Sequence, residues 1–123
     1  MRLLLDSHVL LWWDKDMSQL SGAQRAAIGD SDNEVFVSAV TAWELGIKSK
    51  SGKLSLVEPV SGLVRRFGFA ELPVTLEHAE AVSSLAVLHK DPFDRMLMAQ
   101  ARVEGMVLVT VDRQIREYGV ATL

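Results

Sequence analysis

Four acidic side chains of this sequence lie directly after predicted strands or in the first two turns of predicted helices. Asp6 and Asp112 each follow an apolar run typical of a buried strand. Glu44 lies in a predicted helix behind another such strand, and Asp94 lies in the first turn of a later helix. Ligands of open parallel sheets bind beyond the carboxyl ends of the strands, where helix N-termini converge. We therefore predict that these four carboxylates share one cleft.

A cleft of this kind calls for a cation, because gathered carboxylates repel one another and no matching set of four bases accompanies them. The chain contains no cysteine and no histidine pair at ligand spacing, so its oxygen ligands favour Mg²⁺ or Mn²⁺ over Zn²⁺. Such an ion lowers the pKa of a bound water, and a second ion stabilises a leaving oxygen. The acids therefore predict metal-dependent hydrolysis of phosphodiester bonds.

Each acid also has an ordinary structural interpretation. Asp6 and Asp112 stand where helix N-caps are expected. Asp94 can complete a capping box begun by Asp91, and Glu44 can do the same for the threonine three residues before it. These roles stay open for each residue taken singly, whereas the joint placement of all four favours the metal site.

Two hydroxyl residues flank the predicted site. Ser7 follows Asp6, and Thr110 precedes Asp112 by two residues. Their hydroxyl groups are suited to orienting a carboxylate or a metal-bound water. The alternative is purely structural, with Ser7 capping a helix and Thr110 favouring a strand.

Short buried strands alternate with helices along the chain. The predicted strands are 3–5, 35–37, 72–74, 106–111 and 120–123. The predicted helices are 9–13, 21–28, one beginning near Ser38, 59–67, 75–89, 92–104 and a short one after Asp112. Ser21 is the predicted cap of the helix at 21–28, and Asp91 is that of the helix at 92–104. This alternation predicts an α/β fold with a mostly parallel central sheet covered by helices on both faces.

The length and composition predict a single domain over residues 1–123, with 49% hydrophobic residues to build its core. No apolar stretch reaches the roughly 20 residues needed to cross a bilayer, so we expect a soluble protein without a membrane role. The lack of cysteine excludes disulfides and fits a cytoplasmic location.

The net charge of −3 looks unfavourable for a nucleic-acid binder. Divalent ions among the acids would reverse the local field, however, and a separate basic surface can still contact a phosphate backbone. Lys48, Lys50 and Lys53 follow one another closely, as do Arg65 and Arg66. On charge alone, both groups are interpreted as solvated helix ends.

Four segments resemble the PIN-domain family, and within it the VapC-type toxins of prokaryotic toxin–antitoxin pairs. The segments are LLLDSHVLLW, SAVTAWELGIK, HKDPFDRMLMAQA and LVTVDRQIREYGV, and together they span essentially the whole chain. HKDPFDRMLMAQA is the most specific of them. The resemblance implies a three-layer α/β/α PIN-like fold and a Mg²⁺- or Mn²⁺-dependent endoribonuclease acting on RNA.

The resemblance also implies roles for individual residues. Asp6, Glu44, Asp94 and Asp112 occupy the four metal-site positions of the family. Asp91 is better interpreted as a helix cap that lies close enough to assist the site, and Arg95 is suited to pairing with a carboxylate or a phosphate. His8 stands where the family often has Asn, which leaves open whether it contacts a carboxylate or RNA, or is a packed structural histidine.

Family membership further implies a homodimer and a cognate antitoxin whose tail blocks the acidic cleft. Trp12, Trp13 and Phe93 are candidates for an apolar partner surface, although core packing is the more common fate of such residues.

Three other functions compete with the nuclease. A catalytically silent PIN-like module would use the same cleft to bind RNA or protein. A phosphate-accepting receiver domain is disfavoured because the first strand lacks the adjacent acidic pair, and an aspartyl phosphatase is disfavoured because His8 replaces its second Asp.

Overall fold

The computed structural model of the protein describes residues 1–85 and 91–123 and is built around a parallel sheet of four strands. The strands lie in the order β3-β2-β1-β4, so the first strand of the chain is central. They are β1 (Arg2–Leu5), β2 (Glu34–Ser38), β3 (Ala70–Leu72) and β4 (Val107–Val109).

Helices cover both faces of this sheet. They are α1 (Ser7–Lys15), α2 (Gly22–Gly29), α3 (Ala39–Lys50), α4 (Val60–Phe67), α5 (Leu76–Val82) and α6 (Pro92–Glu104), with 3₁₀ turns at Met17–Gln19 and Arg113–Tyr118. Within the described part of the chain, none of them has the length and apolar character needed to cross a bilayer.

Two apolar cores lie on opposite sides of the sheet, because successive side chains of a strand point to opposite faces. Leu4 packs in one core with apolar residues of α6, and Leu3 and Leu5 pack in the other with residues of α1, α2 and α4. All three leucines are fully buried. The predicted three-layer α/β/α architecture with a parallel sheet is therefore confirmed.

The predicted caps Ser21 and Asp91 are also confirmed, whereas the helix predicted at 9–13 begins two residues earlier, at Ser7. Ser21 and Gln24 form a reciprocal capping box at the start of α2. Asp91 Oδ1 accepts the backbone N–H groups of Phe93 and Asp94, at 2.9 and 3.2 Å, ahead of α6. These interactions span three residues or fewer, so the sequence carries them directly.

The long helix predicted for 75–89 is shorter in the structure. Helix α5 ends at Val82 and is followed by a turn, in which Ser84 and Leu85 donate to carbonyls three residues back. The Ser83 hydroxyl donates to the carbonyl of Glu80, which competes with continued α-helical bonding. The remainder of the predicted helix, residues 86–89, lies outside the described residues.

Two predicted strands are displaced or reduced. The strand predicted at 72–74 lies instead at β3, because Pro73 has no N–H to donate to a sheet. The strand predicted at 106–111 shortens to β4, and residues 120–123 contribute a bridge between Thr122 and Leu108 rather than a full strand.

The i, i+3, i+4 and i+7 spacing of Val40, Trp43, Glu44 and Ile47 predicts one buried stripe on the helix that begins near Ser38, and the buried face of α3 differs from it. Trp43 and Ile47, which the pattern assigned to it, are 64% and 48% exposed, whereas Thr41 and Leu45 are buried. Glu44 is buried as expected, with only 2% of its surface exposed. The face of α3 that meets the protein interior is therefore centred on a carboxylate and a hydroxyl.

Candidate functional site

Asp6 lies at the carboxyl edge of the sheet, directly after β1. Its backbone N–H donates to the carbonyl of Val109 at the end of β4, at 3.1 Å. The side chain is 3% exposed, and its Oδ1 accepts the N–H of Val9 at 2.8 Å. Asp6 is thus the N-cap of α1, and it stands at the edge where ligands of parallel sheets bind.

Opposing influences act on the Asp6 carboxyl group. Burial raises its pKa, while hydrogen bonds from the Thr110 hydroxyl and the Val9 N–H, together with the charge of His8, lower it. The nearby charge of Glu44 raises it further. The net result is a raised pKa, so the folded protein disfavours the ionised form of Asp6.

Glu44 brings a second buried carboxylate toward Asp6 from α3. Its Oε2 lies 2.6 Å from Nζ of Lys48, whereas its buried Oε1 has no hydrogen-bond partner among the described residues. The hydroxyl of Thr41, one turn earlier on the same helix, is also buried without a partner there. A capping-box role for Glu44 with Thr41 is wrong, because α3 begins at Ala39 with Ser38 as its N-cap.

Asp91 and Asp94 stand at the start of α6 near the same lysine. A hydrogen bond to Glu44 is the main cause of the raised pKa of Lys48, and the charges of Glu44, Asp91 and Asp94 add to it against partial desolvation. Both aspartates are half-buried. Asp94 therefore lies within electrostatic reach of the ammonium group that pairs with Glu44.

Thr110 connects the first and last predicted acids. Its hydroxyl accepts the backbone N–H of Asp112 at 3.1 Å and is hydrogen-bonded to the carboxyl group of Asp6. The Asp112 side chain accepts the N–H of Gln114 at 2.9 Å and so caps the 3₁₀ turn that follows. Ser7, the other predicted flanking hydroxyl, is buried as the first residue of α1.

Arg95 and His8 take different surroundings. The Arg95 guanidinium donates to the carbonyls of Val82 and Leu85, at 3.2 and 3.4 Å, so a contact with carboxylate or phosphate stays a prediction. His8 is exposed on α1, with its ring 5.7 Å from that of Trp12. It is therefore not a buried histidine, and it affects the site through its charge on Asp6.

The donor set suits a hard divalent cation, because the buried carboxylates offer oxygen atoms and Oε1 of Glu44 has capacity to spare. Across residues 1–85 and 91–123, however, no three Asp, Glu or His side chains form a ready-made metal-binding group. The charge of Glu44 acts on Asp6, and the charges of Glu44 and Asp94 both act on Lys48. Asp112 is linked to Asp6 through the hydroxyl of Thr110, which hydrogen-bonds to both residues. Joint metal binding by all four acids remains a prediction.

Lys48 and Trp43 were not identified as site residues from the sequence. On charge alone Lys48 is interpreted as part of a solvated helix end, but the structure places its ammonium group against Glu44. The available signal was the i, i+4 spacing of Glu44 and Lys48 on a helix. Trp43 is exposed and packs edge-on against Phe93, with ring centroids 5.2 Å apart.

A parallel sheet lies between two helical layers, and its buried acids stand at the carboxyl edge, where open sheets of this kind bind ligands. The family model described as PIN domain matches residues 3–121. The chain therefore belongs to the PIN-domain family.

Comparison with individual proteins confirms the resemblance to VapC proteins. The chain is 32% identical over 119 residues to Ribonuclease VapC22 of Mycobacterium tuberculosis, covering 94% of this chain and 91% of that protein. Its fold matches VapBC2 from Rickettsia felis, solved bound to a promoter DNA fragment, with a TM-score of 0.72, 14% identity and coverage of 100% and 98% of the two chains. DNA-bound VapBC from Salmonella typhimurium matches with a TM-score of 0.72, 18% identity and coverage of 100% and 97%.

Proposed function

We propose that this chain is a Mg²⁺- or Mn²⁺-dependent endoribonuclease and the toxin of a toxin–antitoxin pair. The relative at 32% identity is named a ribonuclease, and the two structural matches are VapBC complexes. The proposed unit is one PIN-like domain over residues 1–123, acting in the cytoplasm on RNA.

The observation that carries this proposal is the buried pair of Asp6 and Glu44. Both carboxylates are buried, so they lose hydration, and their negative charges repel each other. Such a pair needs positive charge nearby to offset this cost. Lys48 compensates one oxygen of Glu44, and Oε1 stays without a partner within the described residues. A site for a further cation is the arrangement that explains this incomplete pairing.

In the proposed site, Asp6, Glu44, Asp94 and Asp112 would hold the metal. A bound Mg²⁺ or Mn²⁺ supplies an activated water and charge compensation for phosphodiester hydrolysis. The protein's own contribution is positional, because the N–H of Val9 and the hydroxyl of Thr110 fix the orientation of the Asp6 carboxylate.

The other residues at this edge keep supporting roles. Asp91 holds the first turn of α6, and with it Asp94, by accepting two backbone N–H groups. Ser7 is buried directly beside Asp6. We assign Ser7, Asp91, Arg95 and Thr110 to the support of the acids and of the RNA rather than to the metal itself.

The proposed partners are a cognate antitoxin, whose tail blocks the acidic cleft, and a second copy of this chain. Trp12 and Trp13 pack against the apolar core on their side of the sheet, as Phe93 does on the other. Trp43, one residue before Glu44 in the sequence, is instead 64% exposed and contacts Phe93. We therefore place the apolar partner surface at Trp43 and Phe93 rather than at Trp12 and Trp13.

The test is cleavage of a mixed RNA pool by antitoxin-free protein across a series of Mg²⁺ and Mn²⁺ concentrations, with EDTA as the metal-free arm. Asp6→Asn should abolish cleavage. Asp32→Asn is the matched control, because Asp32 is exposed in the loop before β2, at the opposite edge of the sheet. Folded protein that binds RNA or a partner but cleaves nothing in any metal would favour the catalytically silent module.

A further inference from the structure

Lys48 places a positive charge inside the acidic cleft. Its Nζ lies 2.6 Å from Oε2 of Glu44, and the charges of Asp91 and Asp94 also act on it. The lysine side chain is nevertheless 37% exposed, whereas Glu44 is buried. The ammonium group therefore stands between buried acid and solvent.

The pair differs from an ordinary surface ion pair on a helix. Exposed Glu–Lys pairs at this spacing stabilise a helix only slightly, and both partners remain hydrated. Here one partner has lost its hydration and keeps an oxygen without a partner among the described residues. The site thus depends on Lys48 for charge compensation.

A lysine in this position has capacity for a second contact. An ammonium group carries three N–H donors, so one bond to Glu44 leaves others available to phosphate oxygens. Its flexible stem allows the charge to move without a change in the backbone. Partial exposure means that an incoming phosphate can reach the group without displacing core residues.

We propose that Lys48 is a phosphate-positioning residue: its ammonium group compensates Glu44 in the metal-free protein and contacts a non-bridging oxygen of the RNA phosphate in the loaded cleft. The proposal rests on the proposed function, because it concerns the same cleft and an RNA substrate. The proposal gives Lys48 a role in RNA binding, in addition to its ion pair with Glu44 on the same helix.

The test measures binding of a labelled single-stranded RNA 12-mer by fluorescence anisotropy in Ca²⁺, with a gel to show that the RNA stays intact. Lys48→Met should weaken binding about tenfold, the effect of losing one charge-assisted hydrogen bond. The slope of log affinity against log salt should fall in magnitude by about 0.7, as expected for one lost phosphate contact on a single strand. Lys48→Arg should recover most of the affinity.

Lys50→Met is the matched control, because Lys50 lies two residues further along α3 and is exposed. It should change the affinity less than twofold. An equal loss in Lys50→Met and Lys48→Met would overturn the proposal, because the effect would then be general attraction. An unchanged affinity and salt slope in a folded Lys48→Met protein would also overturn it.

A second variant guards against misfolding, since Lys48→Met leaves the buried Glu44 uncompensated. Glu44→Gln combined with Lys48→Met removes both charges, and its RNA affinity is compared with that of Glu44→Gln alone. The proposal requires the double variant to bind less tightly. If it binds as tightly as Glu44→Gln, Lys48 serves only as the partner of Glu44.

The two proposals fail in distinguishable ways. Wild-type protein that binds RNA through Lys48 but cleaves none in Mn²⁺ would refute the nuclease and leave the phosphate contact standing. Metal-dependent cleavage with an unchanged KM in Lys48→Met would refute the phosphate contact and leave the nuclease standing.

Discussion

The negative charge of Glu44 acts on Asp6 and raises its pKa, although the two residues come from different elements, α3 and the end of β1. Both side chains are buried, so little water screens this repulsion. The metal-free protein consequently holds Asp6 in surroundings that oppose its ionisation. Stability and pH dependence should both report this arrangement.

Replacing Asp6 with Asn should raise the thermal midpoint of the metal-free protein at neutral pH. The folded-state pKa of Asp6 lies above its usual value of 3.8. The stabilising contribution of Asp6 to the free energy of unfolding is therefore fully present below pH 3.8, and it is lost as the pH rises through the folded-state pKa. Asn titrates nowhere in this range and keeps an oxygen to accept the N–H of Val9. Melting curves in EDTA between pH 4 and 8 should show that the thermal midpoint of Asp6→Asn exceeds that of the wild type by a margin that grows with pH. A variant that loses stability relative to wild type as the pH rises would contradict this account.

Divalent metal should reverse that order of stability. Mn²⁺ at one hundred times its Kd should stabilise the wild-type protein by about 2.7 kcal/mol, because the ligand binds only the folded state. Asp6→Asn and Glu44→Gln should show a much smaller increase in thermal midpoint, and Asp32→Asn should behave as wild type. Equal stabilisation of all four proteins would show that the metal binds elsewhere.

Removing the Thr110 hydroxyl should disturb Asp6 and Asp112 together. Thr110→Val keeps a β-branched side chain but loses the acceptor for the Asp112 N–H and the hydrogen bond to Asp6. We expect a loss of about 1 kcal/mol in the free energy of unfolding, a further increase in the pKa of Asp6 and slower RNA cleavage. Denaturant unfolding and NMR titration measure the first two, and Thr110→Ser is the control that retains the hydroxyl. Identical Asp6 titration in Thr110→Val would exclude the bond as a determinant of that pKa.

His78 should matter for folding and not for the site. The residue is fully buried between α5 and α6, where its Nδ1 accepts the N–H of Thr75 and its Nε2 lies 2.8 Å from Glu104. His78→Ala removes a buried side chain and leaves polar groups unpaired, so we expect a loss of about 2–4 kcal/mol. Denaturant unfolding should show this loss, and the exposed Glu80→Ala should show almost none. Metal affinity of folded His78→Ala should match that of wild type, and a weaker affinity would argue against this separation.

Local interactions were the most predictable part of the fold. The caps formed by Ser21 and Asp91 join groups no more than three residues apart, so residue type and spacing suffice to identify them. The order of strands and helices followed from their apolar periods. The lengths of the strands could not be predicted in this way, because the ends of β3 and β4 depend on neighbouring strands that are remote in sequence.

The acidic residues of the site could be predicted from the sequence, whereas its basic residue, Lys48, could not. Asp6 and Glu44 interrupt apolar patterns, which marks them in the sequence, and both are buried. Lys48 looked like one of several lysines at a helix end, because sequence alone does not show which side of α3 meets the acids. The exposure of Trp43 and Ile47 has the same origin, since an apolar pattern does not distinguish a core from a surface that a partner covers.

The central position of β1 has a consequence for the order of assembly during translation. β1 and Asp6 leave the ribosome early, but the strand that flanks β1 on one side is β4, which is synthesised near the end of the described chain. The carbonyl of Val109 and the hydroxyl of Thr110, which fix Asp6, arrive equally late. Parallel pairing between such distant segments is slow to form. A nascent chain therefore cannot complete this cleft until the segment that carries β4 and Thr110 has been made.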